Sequence, residues 1–188
     1  LPRLHGYELL MAPYAIAHMK IGLKLYETGY EFESNERARI YLTNALEPAK
    51  NFSETFAFAI PALAFEVKEV NKIKKDQRFT VVLGNPPYSR HSENNSDANR
   101  TFVEPYYFCD GKALGEKNPK WLQDDYVKFI AFGQTLISKA GCGVMSYITN
   151  HGFIDNPTFR GMRQELARTN NNIHILDLHG NSTKKEVI

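Results

Sequence analysis

Residues 85–88 read Asn-Pro-Pro-Tyr and follow an apolar run, Phe79 to Leu83, that ends at Gly84. These residue types can do definite chemistry. The Asn85 side chain presents an amide oxygen that accepts a hydrogen bond, and the Pro86 carbonyl accepts another. The two proline rings hold φ near one value, so both acceptors are set before any ligand arrives. Tyr88 adds a flat aromatic face. Two fixed acceptors beside a stacking surface suit an exocyclic amine on a planar base. Accepting both amine protons biases the nitrogen towards sp³ character and exposes its lone pair, which activates a poor nucleophile without a formal base. A turn that merely closes a strand draws on the same residue types, so the neighbours have to decide between the two.

Such a loop must be held by regular elements, and the flanking sequence supplies them. Residues 5–11 read as a short strand with Glu8 in it or at its end. Residues 13–28 read as a helix, with Pro13 in its first turn, Gly29 just past its end, and Ile16, Met19, Leu23 and Tyr26 at helical spacing. Residues 38–43 form a strand that leads into Asn44. Residues 54–75 are helical with Pro61 starting or kinking a segment; Lys68, Lys72, Lys74 and Lys75 make its tail basic, which suits a helix C-terminus, and Lys72, Lys74 and Lys75 read as a solvated end. After the strand 79–83, the polar stretch 89–119 looks like a long loop or an insertion. A helix over 121–139, a strand over 143–149, a helix over 157–169 and a strand over 173–178 complete the pattern. Strands alternating with helices imply an α/β fold, a mostly parallel sheet with helices on both faces. Ligands bind such sheets at the carboxyl ends of strands, and Glu8, Asn44 and Asn85 each stand at one.

Composition narrows the class without naming it. The 188 residues suffice for one compact domain. They are 43% hydrophobic and 23% charged, with a net charge of +2 that neither demands nor excludes nucleic acid. Cys109 and Cys142 are too few for a disulfide framework, so a reducing cytoplasm is expected. They are also too isolated for a cysteine-rich zinc site, and the six histidines lack ligand spacing, so no metal is expected. No apolar run approaches the ~20 residues that span a bilayer. The chain opens on Leu1 rather than Met and closes on STKKEVI, which leads to the expectation of an incomplete fragment of a longer polypeptide.

An apolar strand ending in NPPY resembles the catalytic motif of the S-adenosylmethionine-dependent DNA methyltransferases that act on the exocyclic amine of adenine. The segments GYELLMAPYAIAHMKIGLKL, GNPPYS, NPKWLQDDYVKFI and ILDLHGN extend the likeness over nearly the whole chain. Together they resemble the methyltransferase part of large single-chain restriction-modification enzymes, which carry nuclease, helicase, methyltransferase and target-recognition parts on one polypeptide. The resemblance implies a Rossmann-like methyltransferase fold and assigns roles. Asn85, Pro86, Pro87 and Tyr88 would be catalytic. Glu8 would take the ribose hydroxyls of S-adenosylmethionine and Leu9 would pack on its adenine. Asn44 would accept from the adenine amine, where the family usually has an Asp. Phe129 or Ile130 would close the other face of that adenine. Arg90 and Arg100, after NPPY, would be phosphate contacts on double-stranded DNA. The family's glycine-rich cofactor loop and its target-recognition domain have no counterpart in residues 1–188 and are expected to be absent from this catalytic core.

Two other readings stay open at this stage. The chain could be a non-catalytic fragment or interaction module that keeps NPPY as structure. It could also methylate a protein glutamine, whose side-chain amide presents the same planar NH₂ group. Fold alone does not separate the three.

Overall fold

The structure, a computed structural model, describes residues 3–31, 37–49, 61–88, 92–116 and 119–178, with the backbone alone for 61–64. The chain divides into two compact units, Leu1–Gln77 and Arg78–Ile188.

The first unit is a β–α–β arrangement. Strand β1 (His5–Glu8) lies parallel to β2 (Arg39–Leu42), with Glu8 opposite Leu42. Helix α1 (Met11–Glu27) connects them. It ends as the sequence requires: Gly29 takes φ +79°, its N–H reaches the Tyr26 carbonyl at 2.9 Å and the Tyr30 N–H reaches the Leu25 carbonyl at 3.0 Å, a Schellman closure. The stripe Ile16, Met19, Leu23 and Tyr26 is exposed. Because α1 is apolar on more than one face, its spacing alone does not select the inward side. Half-buried Tyr14, Ala17, His18, Ile21 and Leu25 lie at the same helical spacing on another stripe. Helix α2 is described over Pro61–Asp76; residues 54–60 of the expected helix fall outside the described residues. Val70 and Ile73 of α2 are buried, as are Ile40, Tyr41 and Leu46.

The second unit is built on β3 (Val81–Gly84), which runs parallel to β6 (Val144–Tyr147) with Gly84 opposite Tyr147. Between them runs α4 (Asp125–Ala140), capped by the Asp124 carboxylate and ended by Gly141 at φ +88°. A 3₁₀ turn, Lys120–Gln123, precedes it. One face of the strand pair, with Val82, Met145 and Tyr147, is half-buried; Val81, Leu83 and Val144 are exposed on the other. The core gathers Val103, Leu122, Tyr126, Val127, Phe159 and Met162, among others.

Three expectations are corrected. The stretch 89–119 is not a plain loop where it is described. It contains α3 (Asp97–Val103), a 3₁₀ turn (Glu104–Tyr107) and the antiparallel hairpin β4 (Phe108–Cys109) and β5 (Lys112–Ala113). The hairpin turns through Asp110 and Gly111, both at positive φ, as an Asp-Gly turn favours. Residues 173–178 form no strand, because a strand exists only within a ladder and no described neighbour pairs with them; Ile173, Ile175, Leu176 and Leu178 are exposed. The helix expected over 157–169 is α6 (Arg160–Thr169) behind a 3₁₀ turn (Pro157–Phe159), and a short α5 (Gly152–Asp155) precedes both.

Gly161 marks where α6 meets the insertion. A Cβ there would fall into the Tyr106 and Phe108 carbonyls, whereas one at Gly22 in α1 meets nothing. Gly161→Ala should therefore destabilise the protein by ~1–3 kcal/mol through overpacking. Gly22→Ala should stabilise it by ~0.5–1 kcal/mol by removing backbone freedom from the unfolded chain. Urea midpoints of the two variants should move in opposite directions; equal shifts would contradict the packing at Gly161.

Candidate active site

The Asn85–Tyr88 loop leaves β3 at its carboxyl end. The ladder continues one step beyond the paired strands, with the Ile148 N–H donating to the Gly84 carbonyl at 3.0 Å. Asn85 therefore starts from a fixed backbone. Its side chain is exposed and, among the described residues, makes no hydrogen bond, so the amide is open to a ligand. Pro86 is buried and seats the loop, while Pro87 is exposed. Tyr88 is 54% exposed. Its ring stands edge-on to Tyr126, centroids 6.4 Å apart at 76°, and its hydroxyl donates to the Ile148 carbonyl at 3.4 Å. Tyr126 is itself buried against Phe153 and Phe159, and that burial pushes its hydroxyl well above the usual tyrosine range. Tyr88 is thus braced by a core residue at one edge while much of its surface stays open.

Two small residues make room for the brace behind the loop. Tyr147 on β6 lies across Gly84 and Gly133 and donates to the Phe129 carbonyl at 3.0 Å. A Cβ on Gly84 would stand 2.5 Å from the Tyr147 ring, and one on Gly133 would strike its hydroxyl. The glycine before Asn85 is therefore a packing requirement. Phe129 is half-buried, whereas Ile130 is 5% exposed within the core.

In the first unit, Glu8 and Asn44 come to one end of the strand pair. The Thr43 N–H donates to the Glu8 carbonyl at 2.7 Å, carrying the ladder past β2. Glu8 Oε1 accepts from the backbone N–H groups of Leu9 (2.8 Å) and Leu10 (2.9 Å), which places the carboxylate at the start of α1. Leu9 is exposed beside it. Asn44 is half-buried, and its Oδ1 accepts from the Leu46 N–H at 3.0 Å in an Asx turn that fixes the amide. Lys74 was read as part of a solvated tail. Its Nζ instead donates to Thr43 Oγ1 (3.2 Å) and to the carbonyls of Asn44 (2.7 Å) and Glu47 (2.8 Å). A carboxylate, an exposed aliphatic side chain and a fixed amide fit a nucleoside, with its hydroxyls, planar base and exocyclic amine. A cavity of about 430 Å³ opens at the amino ends of the same strands, lined by His5, Arg37, Arg39, Tyr41, Phe65 and Lys72 among others. It lies at the other end of the strands from Glu8 and Asn44 and plays no part in this arrangement.

Among the described residues no group of three or more His, Cys, Asp or Glu side chains could hold a metal ion, and no helix is long and apolar enough to cross a membrane. Arg100 is exposed on α3 and lies 3.6 Å from Asp97; Arg90 falls outside the described residues.

The two β–α–β units share their fold with solved restriction-modification enzymes. Over 88% of this chain and 14% of the other, the fold superposes with a TM-score of 0.71 and 23% identity on a nuclease-deletion mutant of the Type ISP restriction-modification enzyme LlaGI, solved in complex with a DNA substrate mimic. Over 87% of this chain and 11% of the other, it superposes with a TM-score of 0.67 and 23% identity on the ATP-dependent Type ISP restriction-modification enzyme LlaBIII bound to DNA. The fold is thus α/β of the methyltransferase kind. The chain belongs to the Eco57I restriction-modification methylase family, whose profile matches residues 8–183. No curated protein matches it.

Burial pushes the Tyr147 hydroxyl up to about 12 from its usual 10.0. Its phenol stays neutral in the fold while the unfolded chain ionises near 10.0, so its contribution to stability is intact below pH 10.0 and is lost as the pH rises to about 12. Tyr147→Phe should cost ~1 kcal/mol at neutral pH through the lost bond to Phe129 and should flatten the alkaline fall in urea midpoint relative to the parent. Gly84→Ala should cost ~1–3 kcal/mol, and lower the midpoint accordingly, because the Tyr147 ring has to give way. An unchanged alkaline slope in Tyr147→Phe would rule out the buried phenol as its source.

Proposed function

We propose that the protein is an S-adenosylmethionine-dependent DNA methyltransferase that methylates the exocyclic amine of adenine, as the modification part of a restriction-modification system. The observation that carries this reading is the Asn85–Tyr88 loop, with an exposed amide on a fixed backbone beside a braced, half-open aromatic ring. The target base leaves the duplex stack, because its amine is otherwise paired and out of reach. The Tyr88 face stacks on the base, and Asn85 Oδ1 and the Pro86 carbonyl accept the two amine protons. The nitrogen lone pair is then free to attack. The rate comes mainly from holding that nitrogen in line with the electrophilic carbon.

The cofactor, when bound, supplies an electrophilic methyl group on a sulfonium centre. Glu8 would hold its ribose hydroxyls, Leu9 one face of its adenine and Asn44 the adenine amine. The family resemblance assigns the other face of that adenine to Phe129 or Ile130. Arg90 and Arg100 would contact DNA phosphates; Arg100 can exchange its weak, exposed pairing with Asp97 for a phosphate at little cost. The solved relatives bind DNA or a DNA mimic, one is ATP-dependent and one carried a nuclease. By analogy, the full-length protein would join this part to nuclease, helicase and target-recognition parts in the cytoplasm.

The test is transfer of labelled methyl groups from S-adenosylmethionine to unmethylated DNA by the full-length protein. Asn85→Ala should lower kcat by ~100-fold or more, by analogy with losing one preorganised polar contact at a reacting centre, and leave cofactor affinity unchanged. Tyr88→Phe should be mild, since it keeps the ring, and Tyr88→Ala severe, a stack being worth ~1–3 kcal/mol. Label appearing on protein glutamine instead of DNA, or equal losses in the two Tyr88 variants, would count against the reading.

A further inference from the structure

Lys128 is fully buried and Asp125, one turn earlier on α4, is nearly so. Neither belongs to the acceptor pair or to the proposed cofactor residues. The Lys128 ammonium group donates to Ser92 Oγ (2.8 Å), the Asn94 carbonyl (2.6 Å) and Asn95 Oδ1 (3.3 Å), which occupies its three donors. Asp125 Oδ1 accepts from Ser92 Oγ (2.5 Å) and Asn94 Nδ2 (2.9 Å). Ser92 Oγ accepts in addition from the Asn94 N–H at 3.0 Å. Every one of these partners lies in residues 92–95, the stretch that follows the Asn85–Tyr88 loop.

We propose that Asp125 and Lys128 form a clamp that positions the catalytic loop, by fixing the chain from Ser92 onward, four positions beyond Tyr88. This rests on the methyltransferase reading and adds positioning residues to it. Four residue steps separate Tyr88 from Ser92, and four steps span ~14 Å at most. An anchored Ser92 therefore bounds the place Tyr88 can occupy. The first turns of α4 hold the loop twice: Tyr126 braces the Tyr88 ring at its edge, and Asp125 with Lys128 ties down the outgoing chain. The role is not one that stability alone demands. A buried charged cluster is a poor source of stability, and apolar side chains of similar volume commonly serve as well. Burial holds the Lys128 pKa below the usual lysine range, with Asp125 and Asp124 acting against that fall. What apolar side chains could not do is bind the polar groups of Ser92, Asn94 and Asn95.

The experiment separates tethering from folding by comparing Lys128→Met with the double variant Lys128→Met, Asp125→Leu in the full-length protein. Three quantities are read: Tm, S-adenosylmethionine affinity by calorimetry, and kcat for methyl transfer to unmethylated DNA. The single variant strands a buried carboxylate and should lower Tm. The double variant removes both charges and should recover most of that Tm, while Ser92, Asn94 and Asn95 are released to water. With the tether gone, kcat should stay ~100-fold down, the scale of loss from misplacing a reacting group by about an ångström, and cofactor affinity should be kept. A double variant that recovers kcat along with Tm overturns the clamp. A cofactor affinity that falls in step with kcat also overturns it, because the cluster then serves the cofactor side. A parent protein that transfers no methyl group to DNA overturns the methyltransferase reading itself, an outcome distinct from an active parent with an active double variant.

Discussion

An amine taken out of water has to be met by acceptors, and the fully buried Lys128 imposes that requirement on the second unit. Its neighbours on α4 face the core: Val127 is fully buried, and Tyr126 packs on Phe153 and Phe159. The acceptors come from 92–95, a segment too polar to enter the core on its own account. Ser92 and Asn94 are half-buried there, and both are hydrogen-bonded to Asp125 and Lys128. One buried cation thus draws Ser92, Asn94 and Asn95 to the surface of α4. From the same anchor Ser96 caps α3, accepting from the Asn99 N–H, and the chain continues through Tyr106 and the hairpin to the surface of α6.

The first unit meets a similar problem in a similar way. A parallel strand ends with carbonyl groups that its ladder no longer satisfies, and the turn that follows adds more. Lys74 reaches from α2 to collect two of them, together with the Thr43 hydroxyl. Its ammonium group also lies 5.7 Å from the centroid of the Tyr7 ring, whose hydroxyl is pushed by burial up to about 12. The Asx turn of Asn44 is therefore held from both sides, by its own side chain and by a cation from the neighbouring helix. In the first unit Lys74 of α2 ties the turn that carries Asn44 itself, and in the second Lys128 of α4 ties residues 92–95, four positions and more beyond Tyr88.

The order of strands and helices was legible because hydrophobic period and punctuation agree. Gly29 and Gly141 stand where left-handed closures occur. The strand-end positions of Glu8 and Asn85 could be read the same way. The insertion was harder. Ser, Asn and Asp favour loops when solvated and cluster around buried charges when not, and composition does not distinguish the two. Its Asp110-Gly111 pair was a hairpin signal in plain view. Lys74 and Lys128 were missed for a related reason: a lysine is solvated by default, and only contacts from residues about 30 positions away reveal otherwise. In Lys128 a usable hint existed, a lone cation within the apolar run Tyr126–Ile130, one turn after an acid. The expectation for 173–178 failed differently. Ile173, Ile175 and Leu176 give it the composition of a strand, but pairing is a property of two segments and a sequence window contains one of them.

The groups proposed to meet the base and their supports are divided by burial. Asn85 and Tyr88 present amide and ring to solvent, while Pro86, Tyr126 and Lys128 are buried and Tyr147 largely so. That division follows from what each has to do. A group that meets a substrate has to stay accessible, and an accessible side chain cannot fix its own position by packing. Fixity has to be imported from neighbours that are packed, through the edge of a ring, a bound hydroxyl, a rigid φ and a tied outgoing chain. Gly84 shows how closely these imports are fitted. The missing Cβ admits Tyr147, Tyr147 bonds the Phe129 carbonyl on α4, and α4 in turn holds residues 92–95. A methyl group added at Gly84 would act first on a phenol ring and through it on the helix that carries both the brace and the tether. The glycine before Asn-Pro-Pro-Tyr is therefore as much a part of the loop's geometry as the residues that would touch the base.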